Sequence, residues 1–358
     1  MSRILVALSG GVDSAVAALL LQRQGHEVHA AYMRTWMNEE GVPLPGECPW
    51  EDDVANARGV CEALGIPLRV LNLVKDYREH VVEYLVEGYR RGLTPNPDIV
   101  CNREMKFGVF LRAAMAEGFD FMATGHYARR RDNPDGRVDI LSGLDPNKDQ
   151  SYFLALLRQE QACRSLFPIG ALRKGEVRAI AREAGLPNAA RKDSQGICFL
   201  GKVPINQFLA LYIPDNPGPI VNTAGKLLGC HRGLHRHTIG QRKGLDVPSN
   251  ADHEHYVVVA KEFDTNTLRV AFDHPGTPGL YVDRATVHNL SWVNAPVATE
   301  CELPVRVRYR DNPMRAHFKP DGLGSAQIHF HEPQRGIAPG QILALYDGET
   351  LLGGGVFL

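Results

Sequence analysis

Long apolar runs are missing from this 358-residue chain, so no stretch reads as a membrane-spanning helix. Met1-Ser2-Arg3-Ile4 leads straight into a strand-like run without the layout of a signal peptide. The expectation is a cytosolic protein with no membrane partner. The seven cysteines, at positions 48, 61, 101, 163, 198, 230 and 301, include no CxxC pair. Their odd number and irregular spacing argue against a disulfide framework or a structural zinc site. The 14 histidines show no metal-ligand spacing either, and no metal-binding residues are expected. An excess of one charge is also absent, with 40 Lys and Arg against 41 Asp and Glu. Global charge therefore announces no nucleic-acid partner, although a local basic surface stays open. Internal repeats and low-complexity segments are lacking as well.

What is present suits a soluble globular protein of two or three domains, with 44% apolar and 23% charged residues. Strand-like runs at 4–8, 26–33, 68–73 and 119–124 alternate with helical patterns at 16–24, 51–64, 76–91 and 102–118, the last capped by Asn102. This alternation predicts an α/β fold with a doubly wound parallel sheet, whose ligand sits at the carboxyl ends of the strands. Past about residue 205, Gly and Pro punctuate short apolar runs at 256–259, 268–272, 285–287, 305–309 and 342–346. That texture predicts an all-β central module and a C-terminal β-barrel. The expected domains are 1–204, 205–275 and 276–358.

The chain is organised around Ile4 to Ser14, an apolar strand ending in Ser9-Gly10-Gly11-Val12-Asp13-Ser14 and passing at once into a helix. Two glycines allow a tight turn and a close approach to a ligand. A helix start gathers unpaired N–H groups and positive dipole, which together cradle phosphate. The spacing is neither that of a Walker A loop nor that of a dinucleotide fingerprint. An ordinary strand–helix turn has the same outline, but the string SGGVDS resembles the pyrophosphatase loop of the N-type ATP pyrophosphatases. That resemblance implies cleavage of ATP between its α and β phosphates, with Gly10, Gly11 and Ser14 on the phosphates and Asp13 near them or near Mg²⁺.

Two cysteines stand in distinctive settings. Thr94-Pro95-Asn96-Pro97-Asp98-Ile99-Val100-Cys101-Asn102 is a stiff loop that delivers a thiol to a helix start, with Asp98 placed to orient or deprotonate it. Arg191-Lys192-Asp193-Ser194-Gln195-Gly196-Ile197-Cys198 carries a second cysteine beside two cations that could stabilise its thiolate, although the local sequence alone favours a packed strand cysteine. One thiol can carry sulfur as a persulfide while a second releases the product by forming a disulfide. An ATP-activating loop with two such thiols points to sulfur transfer onto an adenylated oxygen. Lys148 suits a phosphate and Gln150 a base edge or a sugar, or both simply border a capped helix. Arg306, Arg308 and Arg310 alternate, so a strand through them would present three guanidiniums on one face, fit for RNA phosphates.

SGGVDS, TPNPDIVCN, ATGHYA, NKDQSYFL, KDSQGICFLG, HTIGQRKG and APGQ occur in this order. Over nearly the whole chain they resemble the tRNA-specific 2-thiouridylases. The resemblance implies an adenine nucleotide alpha hydrolase-like first domain and a tRNA-binding barrel. It further implies that ATP, with Mg²⁺, adenylates O2 of the wobble uridine, and that persulfide sulfur then replaces that oxygen. Cys198 would carry the persulfide, Cys101 would be the partner thiol, and Asp98 the acid/base beside them, with a transient Cys101–Cys198 disulfide closing the cycle. Ala7, Leu8, Ser9, Gly10, Gly11, Val12, Asp13, Ser14, Met33 and Gly125 would hold ATP. Asn96, Pro97 and Asp98 would meet the target base. His126, Lys148, Asp149, Gln150, Arg308, Tyr309 and Gln341 would touch tRNA. The sulfur would come from a persulfide donor protein, a cysteine desulfurase or a relay protein. Two features depart from the family's pattern: His237 stands where an aromatic residue is usual, and residues 246–255 fit poorly.

Overall fold

The computed structural model describes residues 1–36, 50–192, 203–248, 254–322 and 324–358. The first part of the chain runs β1 (Arg3–Ala7), α1 (Val12–Arg23), β2 (Glu27–Arg34), α2 (Trp50–Leu64) and β3 (Leu68–Asn72), and later adds β4 (Phe121–Ala123). A hairpin of β5 (Ala128–Asp132) and β6 (Val138–Ser142) follows, then the short β7 (Ser165–Leu166). Five of these strands form a parallel sheet of order β3-β2-β1-β4-β7. Strand order reverses beside β1, which pairs with β2 on one side and β4 on the other. In such a sheet the crevice outside the carboxyl ends of the strands at the reversal is the natural ligand site.

Alternation along β1 covers both faces of the sheet. Ile4 and Val6 pack on Ala18 and Leu21 of α1. Leu5 and Ala7 pack on Phe107, Phe110, Leu111 and Ala114 of the helix that follows residue 97. On the α1 side, Val16 and Leu19 meet Val54, Ala57 and Val60 of α2 and Val177 and Ala181 of the Lys174–Glu183 helix. Because α1 is gripped by sheet and helices at once, it is rich in Ala and buried on most sides.

The helix bearing Cys101 begins earlier than the sequence pattern predicts. Asn96, not Asn102, is its N-cap, and the Asn96 side chain accepts the Ile99 N–H at 3.2 Å with Pro97 in the first helical position. The helix passes through wide π-type turns at Cys101–Phe110 and ends at Ala116. Asn102 is therefore an interior helical residue, and Cys101 stands a full turn inside the helix.

The second unit is a four-stranded sheet of order β10-β11-β8-β9, built from β8 (Gly218–Asn222), β9 (Leu227–His231), β10 (Tyr256–Glu262) and β11 (Thr267–Phe272). The third comprises β12 (Tyr281–Trp292), β13 (Cys301–Arg306), β14 (Met314–Pro320), β15 (Ala326–Arg335), β16 (Ile342–Asp347) and β17 (Thr350–Phe357). Pairing of β12 with β17 closes these six strands into a barrel, as the all-β pattern predicts. Strict alternation shows on β15, where Ala326, Ile328 and Phe330 point inward and Gln327, His329 and His331 outward.

The barrel is not a separate body. The β5–β6 hairpin, which periodicity did not reveal, adds two strands to its sheet through Leu141↔Thr350 and Ile140↔Leu351. Ile342, Ala344 and Tyr346 of β16 share one core with Leu5, Phe107 and Tyr152. The arginine stripe does not form: β13 ends at Arg306, and Arg308 and Arg310 lie in the turn beyond it. Arg310 takes a left-handed backbone, φ 70°, which breaks the two-residue alternation. Among the described residues no helix is long and apolar enough to cross a membrane.

Candidate active site

The loop after β1 is shaped by close approaches that only glycine permits. Gly10 has φ +76°, and a Cβ there would lie 2.5 Å from the Asp53 carbonyl oxygen. A Cβ on Gly125, just past β4, would lie 2.6 Å from the Ser14 amide nitrogen. The Ser14 hydroxyl, 4% exposed as part of its residue, donates to the Gly11 carbonyl at 3.1 Å and accepts the Ser9 N–H at 3.2 Å. Gly11 is the N-cap of α1, and among the described residues no side chain caps that helix. The first-turn N–H groups of α1 are thus not consumed by a capping side chain, the arrangement a phosphate uses.

Residues far along the chain hold this loop from below. Asn188 Nδ2 and Arg191 Nη1 both donate to the Gly10 carbonyl, at 2.9 and 3.1 Å. Arg191 also pairs with Asp53 at 2.5 Å. Arg191 thus braces the glycine loop; Cys198, beside which it is expected, lies outside the described residues.

Asp13 meets a partner that sequence reading missed. Lys174 Nζ lies 2.7 and 2.9 Å from its two carboxylate oxygens, and the Tyr127 hydroxyl donates to it at 2.9 Å. Lys174 opens a helix in a region with no motif of its own, so nothing in its local sequence links it to Asp13. Tyr127 is the hub of this corner. Its N–H reaches Gln150 Oε1 at 2.9 Å and its carbonyl accepts the Gln150 N–H at 2.8 Å. The Lys148-Asp149-Gln150 segment is thereby tied to the glycine loop through one tyrosine.

The Cys101 helix lies over the carboxyl ends of β1 and β2. Ile99 shares a core with Ala7 and Ala31, and Met33 packs on the cluster that holds Cys101, Val100, Met105 and Tyr77. Cys101 is 2% exposed. Asp98 is half-buried three residues earlier, on a neighbouring face of the same helix. Asn102, freed from capping, donates to the Phe153 carbonyl at 3.0 Å and accepts from Lys106 Nζ at 2.9 Å. His126 is buried, within 2.8 Å of the Thr124 hydroxyl through Nδ1, and Phe107 lies 5.7 Å away. Burial, aided by the Lys106 charge, holds its protonation well below the usual imidazole range, so it is neutral near pH 7. Cys198 and the motif from Asp193 onward lie outside the described residues.

The remaining residues assigned to tRNA by resemblance stand where the barrel meets the first unit. Asp149 is 5% exposed and is held by the Gly143 and Ser151 amides and by Arg306 at 2.5 Å. Lys148 is half-buried in the same turn. The Tyr309 ring lies tilted against Phe153, with centroids 4.5 Å apart, and the Phe153 carbonyl is the Asn102 partner. Arg308 donates to the Arg335 and Gly336 carbonyls at 2.8 and 2.6 Å. Gln341 Nε2 donates to the Thr94 carbonyl at 2.7 Å. Among the described residues no group of three or more His, Cys, Asp or Glu could hold a metal ion.

Comparison with known proteins covers the whole chain. Family models described as a tRNA methyl transferase HUP domain, a tRNA methyl transferase PRC-barrel domain and an aminomethyltransferase beta-barrel domain match residues 2–202, 206–272 and 282–357. The chain is 53% identical over 361 residues to the tRNA-specific 2-thiouridylase MnmA of Akkermansia muciniphila, covering 100% of this chain and 99% of that protein. It is 45% identical to the enzyme of the same name from Pseudomonas fluorescens strain Pf0-1, over 99% of this chain and 94% of that one. A solved 4-thiouridine synthetase–RNA complex with bound ATP is 20% identical, with a TM-score of 0.35 over 59% of this chain and 51% of that one.

Proposed function

Because the chain belongs to the tRNA-specific 2-thiouridylase family, we propose that it converts the wobble uridine of tRNA to 2-thiouridine, consuming ATP and releasing AMP and pyrophosphate. The domain descriptions speak of methyl transfer, whereas the full-length relatives are thiouridylases. Identity of 45–53% over the entire length outweighs a domain label. The observation that carries the reading is the crevice itself: the uncapped start of α1, the Asp13–Lys174 pair and the Cys101 helix all gather at the carboxyl ends of β1 and β2.

Each residue's part follows from its surroundings. Gly10, Gly11, Val12 and the start of α1 offer backbone N–H groups to the phosphates of ATP, and Gly125 lets the β4 loop close on them. Lys174 adds positive charge where pyrophosphate leaves. Asp13 is the carboxylate within reach of that cradle. Magnesium carried on the phosphates suits such a site, since Mg²⁺ commonly takes one or two protein carboxylates and fills its remaining positions from phosphate and water. Adenylation turns O2 of the uridine into part of a good leaving group, AMP. The terminal sulfur of a Cys198 persulfide then bonds to C2 as AMP departs. The Cys101 thiolate breaks the sulfur–sulfur bond, leaving sulfur on the base and a Cys101–Cys198 disulfide that an external thiol reductant reopens. Asn96, Pro97 and Asp98, at the mouth of the thiol helix, meet the base, and Asp98 handles the proton beside Cys101. Ala7, Leu8, Ser9, Ser14 and Met33 complete the ATP site. His126, Lys148, Asp149, Gln150, Arg308, Tyr309 and Gln341 make up the tRNA side, with domains at 1–204, 205–275 and 276–358. A persulfide donor protein supplies the sulfur, and the cytoplasm is the compartment where tRNA, ATP and reductant coexist.

The test is mass spectrometry of nucleosides from tRNA incubated with the protein, ATP-Mg²⁺ and a labelled sulfur source. Labelled 2-thiouridine at the wobble position is expected. Release of AMP that depends on tRNA, without any thiouridine, would refute the sulfur half and leave a different adenylating enzyme.

A further inference from the structure

The segment that carries the chain into the thiol helix packs on its own unit, where Leu93 donates to the Gly88 carbonyl at 2.9 Å, and is also held by both other units. Thr94 is the point of contact. Its N–H donates to the Pro339 carbonyl at 2.7 Å, and its carbonyl accepts Gln341 Nε2 at 2.7 Å. Its hydroxyl lies 3.1 Å from the Thr238 hydroxyl. Two of these partners belong to the Pro339-Gly340-Gln341 turn before β16, and the third to the Thr238-Ile239-Gly240 turn of the central module. Gly340 between them has φ +91°, and a Cβ there would lie 3.0 Å from the Thr94 nitrogen. Two residues upstream, Lys261 of β10 donates to the Gly92 carbonyl at 2.5 Å and to the His237 carbonyl at 3.1 Å.

What lies downstream of Thr94 is stiff. Pro95 and Pro97 fix two backbone angles, and Asn96 caps the helix directly. A displacement at Thr94 is therefore passed on to Asn96, Pro97, Asp98 and Cys101 rather than absorbed by a flexible loop. By contrast, the glycine loop is held by Asn188, Arg191 and Asp53 of the first unit. Both halves of the site rest on the first unit, and the thiol side is tied to the other two units as well.

We propose that Thr94 is a positioning residue, through which the barrel and the central module set the place of the thiol helix against a tRNA bound across all three units. This rests on the thiouridylase reading above. A misplacement of about 1 Å at a reacting group can cost two orders of magnitude in rate, so even one lost bond at such a joint is visible in turnover.

The experiment uses the full chain with tRNA, ATP-Mg²⁺ and a low-molecular-weight persulfide as sulfur donor, and compares Thr94→Val, Thr238→Val, the double variant and Thr94→Ser. Thr94→Val and Thr238→Val are each expected to lower kcat for thiouridine about fivefold, the worth of one net hydrogen bond. The double variant should be no worse than either single one, because both remove the same bond. Thr94→Ser, which keeps the hydroxyl, should restore the rate, and the tRNA Kd should stay unchanged throughout. Multiplied losses in the double variant, a weakened tRNA Kd with kcat intact, or unaltered kcat in an active enzyme would each overturn the proposal. Absence of thiouridine from the unaltered chain would instead overturn the thiouridylase reading on which it rests.

Discussion

His237 gives the central module a pH dependence that a single substitution removes. The ring is 5% exposed, and its buried Nδ1 has no hydrogen-bond partner among the described residues. Burial comes first, then the charges of His231, Lys261, His235 and Arg236, and together they push its pKa down from 6.5 to about 4. A base that is harder to protonate in the folded state contributes stability fully above pH 6.5 and loses it as pH falls through the folded value. The whole shift amounts to roughly 3 kcal/mol, of which about 2 kcal/mol is already lost at pH 5. His231 and His235 are shifted the same way, each chiefly by burial, and lose stability in the same direction. Replacing His237 by Phe keeps an aromatic ring against His231, 5.9 Å away, and forfeits no Nδ1 hydrogen bond. The variant should match the parent at pH 7 within about 1 kcal/mol. It should then lose about 2 kcal/mol less between pH 7 and pH 5. Hydrogen exchange of peptides covering β10 and β11, corrected for intrinsic rates, reads this locally. Equal pH slopes in parent and variant would refute the buried-imidazole argument.

Other expectations concern the site directly. Lys174→Ala removes the cation beside the proposed phosphate cradle and Asp13→Ala the carboxylate that holds it at 2.7 Å, so each should lower tRNA-dependent AMP release by about a hundredfold or more; AMP release at the parent rate would contradict the cradle. Gly125→Ala, whose Cβ would sit 2.6 Å from the Ser14 nitrogen, should weaken ATP binding in a titration while leaving tRNA binding intact. Cys198→Ala should abolish thiouridine yet still release AMP, and thiolation at the parent rate would sink its assignment. Arg306→Met leaves the Asp149 carboxylate buried without its cation, and should cost about 3–5 kcal/mol in a denaturant titration at pH 7; a smaller loss would mean that water reaches Asp149.

Much of the first unit was legible because it is local. Period and punctuation placed β1, α1, β2, α2 and β3, since a buried parallel strand and its covering helix each write a pattern into a dozen adjacent residues. The glycine loop and the proline-flanked cysteine were legible for the same reason. The cap of the thiol helix was misjudged, because two asparagines six residues apart both satisfy cap chemistry, and only the fold shows that Asn102 is spent on Phe153 and Lys106. The arginine stripe failed because alternation persists in sequence after the strand has ended at Arg306.

By itself, then, the sequence determined the fold class, the glycine turn after β1 and the identity of the chemical groups, each encoded within a short window by backbone and side-chain preference. Only the tertiary structure decided which groups work together. Lys174 reaches Asp13 across 161 residues, and Gln341 reaches Thr94 across 247. Such pairs leave no periodic trace, because they are selected by packing between units rather than by the conformation of either segment. The β5–β6 hairpin joining the barrel has the same origin: its register is set by the edge of β17, which its own residues cannot foretell.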